Sequence, residues 1–261
     1  MQSIKNKIDN TIVIKEPFPH IIIDNFLDND QFEKLMRDVN DVIKFNKITS
    51  EQSEKGSILI SNKKLKESQL GRDLITFLES EELMQILVKK FEDTRPKLPL
   101  KMILKPFNAE LIFNPIVKKK KSPRNAHLDP INSYLTWLYY LRDDAEKITS
   151  VSFFYYKNGF IGFDYSAEDK MYVPTSNLSK EKIIEALPNR FLGFIGSENS
   201  AHAVSERKPN SGIRVYLTGG IRSNKNLYYP FKAMSFSNKL KFLYRRPIQK
   251  IWHRILKLKN K

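Results

Sequence analysis

Apolar positions along the chain change their period near Leu98. Before it they recur at helical spacing: Phe32, Leu35, Met36 and Val39 share one face, which predicts a helix from about Gln31 to Ile43 with Asp28 or Asn29 as N-cap. The β-branched run from His20 to Asp24 reads as a strand that feeds this helix. Ser80 predicts the cap of a second helix, Glu81 to Phe91, with Leu83, Ile86, Leu87 and Phe91 as its buried stripe. Between the two, Lys44 to Arg72 is polar and Lys/Ser-rich with few periodic positions, and is expected to be a loop that could cross a substrate entrance.

Beyond Leu98 the pattern turns to alternating or continuous apolar runs bounded by turn residues. Lys101 to Leu104, Ala109 to Phe113, Ser133 to Leu141, Val151 to Tyr156, Arg190 to Ile195 and Ile213 to Gly219 are rich in Ile, Val, Phe, Tyr and Thr and predict antiparallel strands. Ser179 to Leu187 (SKEKIIEAL) reads as a short capped helix between strands. Helices followed by a run of strands imply an α+β, mainly β class, a sandwich or barrel buttressed by helices on one side. No internal repeat is present.

Composition narrows the chemistry. With 261 residues and 41% hydrophobic content the chain can bury one sizeable core, so one main domain with short appendages is expected. No apolar run approaches the length of a membrane span, and the opening MQSIKNKIDNTIVIKE lacks a signal-peptide core, so the expectation is a soluble, cytoplasmic protein. Zero cysteines exclude disulfides, thiolate metal sites and a cysteine nucleophile, leaving His, Asp and Glu as metal donors.

The net charge of +16 suggests an anionic partner, but nine of those charges sit in Ser235 to Lys261, which has no acid, leaving +7 on the other 234 residues. In that tail Ile248, Ile251, Trp252, Ile255 and Leu258 recur at helical spacing, with Lys250, Arg254, Lys257 and Lys261 on the remaining arc. Such a helix could lie on an anionic membrane through residues 239–261, at the inner face; a helix packed on its own domain would show the same pattern. The KKKKSPR run at Lys118 to Arg124 could line a pocket mouth, although a solvated loop is the usual meaning of such a run.

Of four histidines, two draw attention. His127 and Asp129 stand at i and i+2, which in an extended strand project to one face. His202 follows the apolar run FLGFIG, where a neighbouring antiparallel strand could bring it alongside. Two imidazoles and a carboxylate on one face make a facial triad that leaves three positions of an octahedral iron open. An HxD alone is weak, because such spacing arises by chance and a lone strand histidine is more often structural. Arg214, twelve residues past His202 and flanked by Ile213, Val215 and Leu217, adds a guanidinium in a strand destined for the core. A dicarboxylate that pairs with it bidentately would explain that position.

In order and spacing, HLD, TWLYYLR, NRFLGFIGSENSAHAV and GIRVYL resemble the prolyl-hydroxylase-like iron(II)/2-oxoglutarate-dependent oxygenases, and EPFPHIIIDNFL looks like the start of bacterial members. The resemblance covers roughly residues 15 to 222. It implies a double-stranded β-helix (jelly-roll) core over about 98–222 within an oxygenase domain of 1–234, supported by N-terminal helices, with 235–261 as a basic C-terminal helix. It implies Fe(II) held by His127, Asp129 and His202, 2-oxoglutarate held by Arg214 with Tyr140 and Thr136, and dioxygen as oxidant; Tyr216 could add a hydroxyl. No catalytic residue is expected beyond the metal centre, since oxidative decarboxylation to succinate and carbon dioxide needs no general base. Two positions depart from the family: its Gly-Gly pair is Thr149-Ser150-Val151 here, and the Asn after Tyr-Leu is Arg142. Both bear on the substrate side.

The expected activity is hydroxylation of a C–H bond in an anionic small-molecule or glycan- or lipid-linked substrate, with hydroxylation of a protein prolyl or other residue as the nearest alternative. A nucleic-acid-binding module without catalysis is the reading from another class, motivated by the +16 charge and eleven tyrosines. It leaves Arg214 and the spacing of His127, Asp129 and His202 unexplained.

Overall fold

The structure, a computed structural model, describes residues 1–45, 58–60, 63–94, 102–114, 124–143, 150–157, 164–165, 171–173, 175–205 and 213–227. The expected C-terminal helix and nearly all of the KKKKSPR run lie outside these residues. Helices α1 (Gln2–Asn10), α2 (Asn29–Phe45), α3 (Gln69–Leu78) and α4 (Glu81–Lys90) precede most of the strands, with β1 (His20–Ile23) and β2 (Ile58–Ile60) between them. The strands that follow are β3 (Leu104–Asn114), β4 (Arg124–Leu128), β5 (Ser133–Asp143), β6 (Ser150–Tyr156), β7 (Asp164–Tyr165), β8 (Met171–Tyr172), β9 (Leu178–Glu185), β10 (Arg190–Ile195), β11 (His202–Val204) and β12 (Arg214–Ser223).

They form two six-stranded antiparallel sheets, a major one ordered β1-β10-β5-β12-β3-β2 and a minor one ordered β7-β8-β4-β11-β6-β9. From β3 to β6, and again from β9 to β12, each successive strand crosses to the other sheet. This is the winding of a double-stranded β-helix, or jelly roll.

The pleat of β5 explains why helices are needed. Leu135, Trp137, Tyr139 and Leu141 project to one face and pack with Leu35, Val39, Leu74, Leu83 and Leu87 of the helices. Leu138 and Tyr140 project to the other face and meet Val151 and Phe153 of β6, Ile184 of β9, and Leu192 and Phe194 of β10. The major sheet is thus covered on both sides, and its inner face looks across at the minor sheet.

Local capping follows the sequence at α4, where the Ser80 hydroxyl accepts from the Leu83 amide at 3.1 Å. Leu83, Leu87 and Phe91 of the expected stripe are buried. Asn189, in the left-handed region at φ 62°, locks the turn into β10. Its side-chain oxygen accepts from the Leu27 amide and the Tyr139 hydroxyl, each at 2.9 Å, and its amide nitrogen donates to the Leu27 carbonyl. Burial raises the Tyr139 hydroxyl well above its usual pKa, so it stays protonated and donates.

Three expectations are corrected. Lys44 to Arg72 is not a continuous loop: Ile58–Ile60 pairs with β3, Leu65 is buried, and α3 starts at Gln69 under a Ser68 cap on the Gly71 amide. Ser179 to Leu187 is not a helix. Leu178–Glu185 pairs along β6 as the edge of the minor sheet, with Ile184 buried and Ile183 exposed, because an unfilled β6 ladder outweighs local helix preference. The strands expected at Lys101 to Leu104 and Ala109 to Phe113 are one strand from Leu104 on, running through Pro106. Proline is tolerated there because β2 covers only Leu111 to Phe113 of β3. Helix α1 was not expected, since only Ile4 and Ile8 mark its buried face.

Candidate metal centre

Strand β11 is three residues long and lies between β4 and β6, so its register sets the site. His202 stands directly opposite His127 on β4, and directly opposite Phe153 on β6. Directly opposed residues share a face with closely spaced Cβ atoms, and the two imidazole centroids are 4.3 Å apart. Asp129, one residue past the end of β4, brings Oδ1 to 3.8 Å from His202 Nε2. One donor atom from each of His127, Asp129 and His202 lies within 4.8 Å of the others, and the two histidines are buried. Donors bound about 2.0–2.2 Å from one ion sit roughly 3 Å apart at right angles, so side-chain movements on the order of 1 Å would close the three around a metal.

Neighbouring groups hold these donors. The His202 Nδ1–H donates to the Ser200 carbonyl at 2.9 Å, which makes Nε2 the ring nitrogen turned toward Asp129. The Ser200 hydroxyl donates in turn to the Ser197 carbonyl at 2.7 Å and accepts from the Ser197 amide, so the turn before β11 is tied to itself. The Thr136 hydroxyl donates to Asp129 Oδ2 at 2.6 Å. On the far side of His127, Tyr172 of β8 stands opposite in register, with its ring 6.4 Å away.

The residues expected around a co-substrate lie on the facing sheet. Arg214 opens β12 and is buried, 6% exposed. Its guanidinium carbon lies 5.1 Å from the centre of the Tyr216 ring. Tyr216 is opposite Tyr140 in register, with ring centroids 6.1 Å apart. Arg214, Tyr216 and Tyr140 therefore form one polar group on the inner face of the major sheet. Thr136, on the same face of β5 as Tyr140, lies beside Asp129. Ser200, Ser133 and Tyr172 had no signal in the sequence, since each is brought to the site by register or a turn.

No protein-family model matches this chain, and no curated protein matches it by sequence. Solved structures do match. The chain superposes on a prolyl 4-hydroxylase from Phytophthora capsici with a TM-score of 0.52 at 16% identity, covering 95% of this chain and 75% of that one. It superposes on the epimerase SnoN, solved with Fe3+, alpha ketoglutarate and nogalamycin RO, with a TM-score of 0.50 at 11% identity, covering 85% of this chain and 82% of that one. The order of strands, the two sheets and these superpositions together give this chain the fold of the prolyl-hydroxylase-like iron/2-oxoglutarate oxygenases.

Proposed function

We propose that this protein is an iron(II)- and 2-oxoglutarate-dependent dioxygenase that hydroxylates a C–H bond. The observation that carries the reading is the register of β11 on β4, which seats His202 opposite His127 beside Asp129 on the inner face of a fold that in SnoN was solved with iron and alpha ketoglutarate. His127, His202 and Asp129 supply two nitrogens and one oxygen, a set suited to iron with open positions. Arg214 binds the far carboxylate of 2-oxoglutarate, assisted by the hydroxyls of Tyr140 and Tyr216. When bound, iron and 2-oxoglutarate supply the oxidising power through decarboxylation of the oxo acid with dioxygen, giving succinate and carbon dioxide. The aromatic wall of Phe153 and Phe194 beside His202 keeps water from that face of the centre.

The substrate is an anionic small molecule or a glycan- or lipid-linked species, supported by the +16 charge. Hydroxylation of a protein prolyl or other residue is the second reading, favoured by the likeness to a prolyl 4-hydroxylase. Among the described residues no helix is long and apolar enough to cross a membrane. A cytoplasmic protein with its basic tail at the inner membrane face fits that charge pattern. Nucleic-acid binding would not account for buried His127, His202 and Arg214.

Succinate release from 2-oxoglutarate with iron(II) tests the proposal. Wild type is expected to turn over, His127→Ala to lose activity, and Arg214→Ala to need roughly 100-fold more 2-oxoglutarate, as when one partner of a buried charge pair is removed. Absence of turnover, together with absence of stabilisation by iron plus 2-oxoglutarate, overturns it. A screen of phosphorylated sugars against proline-containing peptides separates the two substrate readings.

A further inference from the structure

We infer that Thr136 is a positioning residue for the metal, the middle of a directed hydrogen-bond chain from Ser133 to Asp129. The inference rests on the proposed metal centre and adds to it how Asp129 is held to one oxygen.

A carboxylate only accepts, so the single hydroxyl proton of Thr136 goes to Asp129 Oδ2 at 2.6 Å. Ser133 Oγ lies 3.3 Å from Thr136 Oγ1, and with the threonine proton committed, the serine is the donor of that contact. The direction of the chain is therefore Ser133 to Thr136 to Asp129. Ser133 is 5% exposed and Thr136 half-buried, so water competes little for either bond. The two sheets meet here. Thr136 sits on β5, paired with Phe194 of β10 and Gly220 of β12, whereas Asp129 follows β4 of the minor sheet. The Thr136–Asp129 bond thus ties the metal donor to the rigid centre of the major sheet.

The consequence concerns denticity. Asp129 Oδ2 is engaged by Thr136 while Oδ1 faces His202 Nε2. A carboxylate so held would offer a metal one oxygen and leave room beside it for an oxo acid. Without the threonine hydroxyl, the restraint on Oδ2 is lost and that oxygen can turn toward the metal position. Thr136 therefore favours metal binding, and favours the joint binding of metal and 2-oxoglutarate more strongly still. A hydroxyl that served only as a contact to the co-substrate would have no effect on metal binding in its absence.

Manganese(II), a redox-stable stand-in for iron(II), is titrated into the full chain and the free ion is read by EPR, first without and then with 2-oxoglutarate. Thr136→Val, which keeps the shape and removes the proton, is expected to weaken manganese binding by about 10- to 100-fold without co-substrate, the range for groups that orient a metal ligand. The loss is larger with 2-oxoglutarate present. Thr136→Ser restores binding to within about threefold, and Ser133→Ala falls between, as loss of the outer link of a chain should. Melting of the metal-free protein reports whether each variant folds. Unchanged manganese binding by Thr136→Val, in a background where Asp129→Ala abolishes it, overturns the inference and leaves the metal centre standing. Wild type that fails to bind manganese, or Asp129→Ala that binds as well as wild type, overturns the metal centre itself.

Discussion

His20 and His202 have the same local arrangement and different surroundings. Each is buried on a short strand, and each Nδ1–H donates to the carbonyl two residues earlier, Phe18 at 2.7 Å and Ser200 at 2.9 Å. Each meets Phe153, at 5.1 Å and 6.5 Å between ring centroids. His20 otherwise faces Phe18 and the charge of Lys182, whereas His202 faces His127 and Asp129. Burial and a fixed tautomer are therefore shared by a structural histidine and a candidate ligand. What separates them is a second imidazole and a carboxylate within reach, and both are supplied by β4.

Exchanging the two neighbourhoods has the largest expected effect. His202→Ala should lose more than about 100-fold in manganese affinity, beyond the range for mere orienting groups, while His20→Phe should stay within a few-fold of wild type. Equal losses from both would mean that burial, not the donor set, governs the site. Phe153→Ala probes the wall that the two histidines share. Removing this fully buried ring should cost about 3–5 kcal/mol in denaturant unfolding and open both imidazoles to water.

The smallest effect is a pH dependence. Burial, with the nearby positive Lys182, lowers His20 to about 4 from an ordinary 6.5, against the opposing pull of its bond to Phe18. Between those values the unfolded chain binds a proton that the folded chain does not, so this contribution to stability is complete above 6.5 and declines as pH falls toward 4. Melting temperature should therefore fall on acidification from pH 7 to 5, and His20→Phe should flatten the slope. A slope unchanged in His20→Phe assigns the acid sensitivity to other groups.

Features set by neighbours in the chain were legible in the sequence. The helical faces of α2 and α4, the Ser80 cap and most strands followed from period and turn residues. The absence of cysteine restricted any metal to His, Asp and Glu, and the i, i+2 spacing of His127 and Asp129 already put two donors together. Where the sequence misled, tertiary demand had overridden local preference. Leu178–Glu185 became a strand because β6 needed a partner, and Gln69–Leu78 became a helix because Leu74 and Ile75 cover the back of the major sheet.

By itself, then, the sequence determined the donor types, the supporting helices and a mainly β core, since these depend on side-chain chemistry and short periods. Only the tertiary structure decided that His202 lies opposite His127, that Arg214 is buried beside Tyr216, and that the Thr136 hydroxyl bonds Asp129. Those contacts join residues far apart in the chain through sheet register. A one-residue slip of β11 would send His202 to the outer face with no change in any local signal.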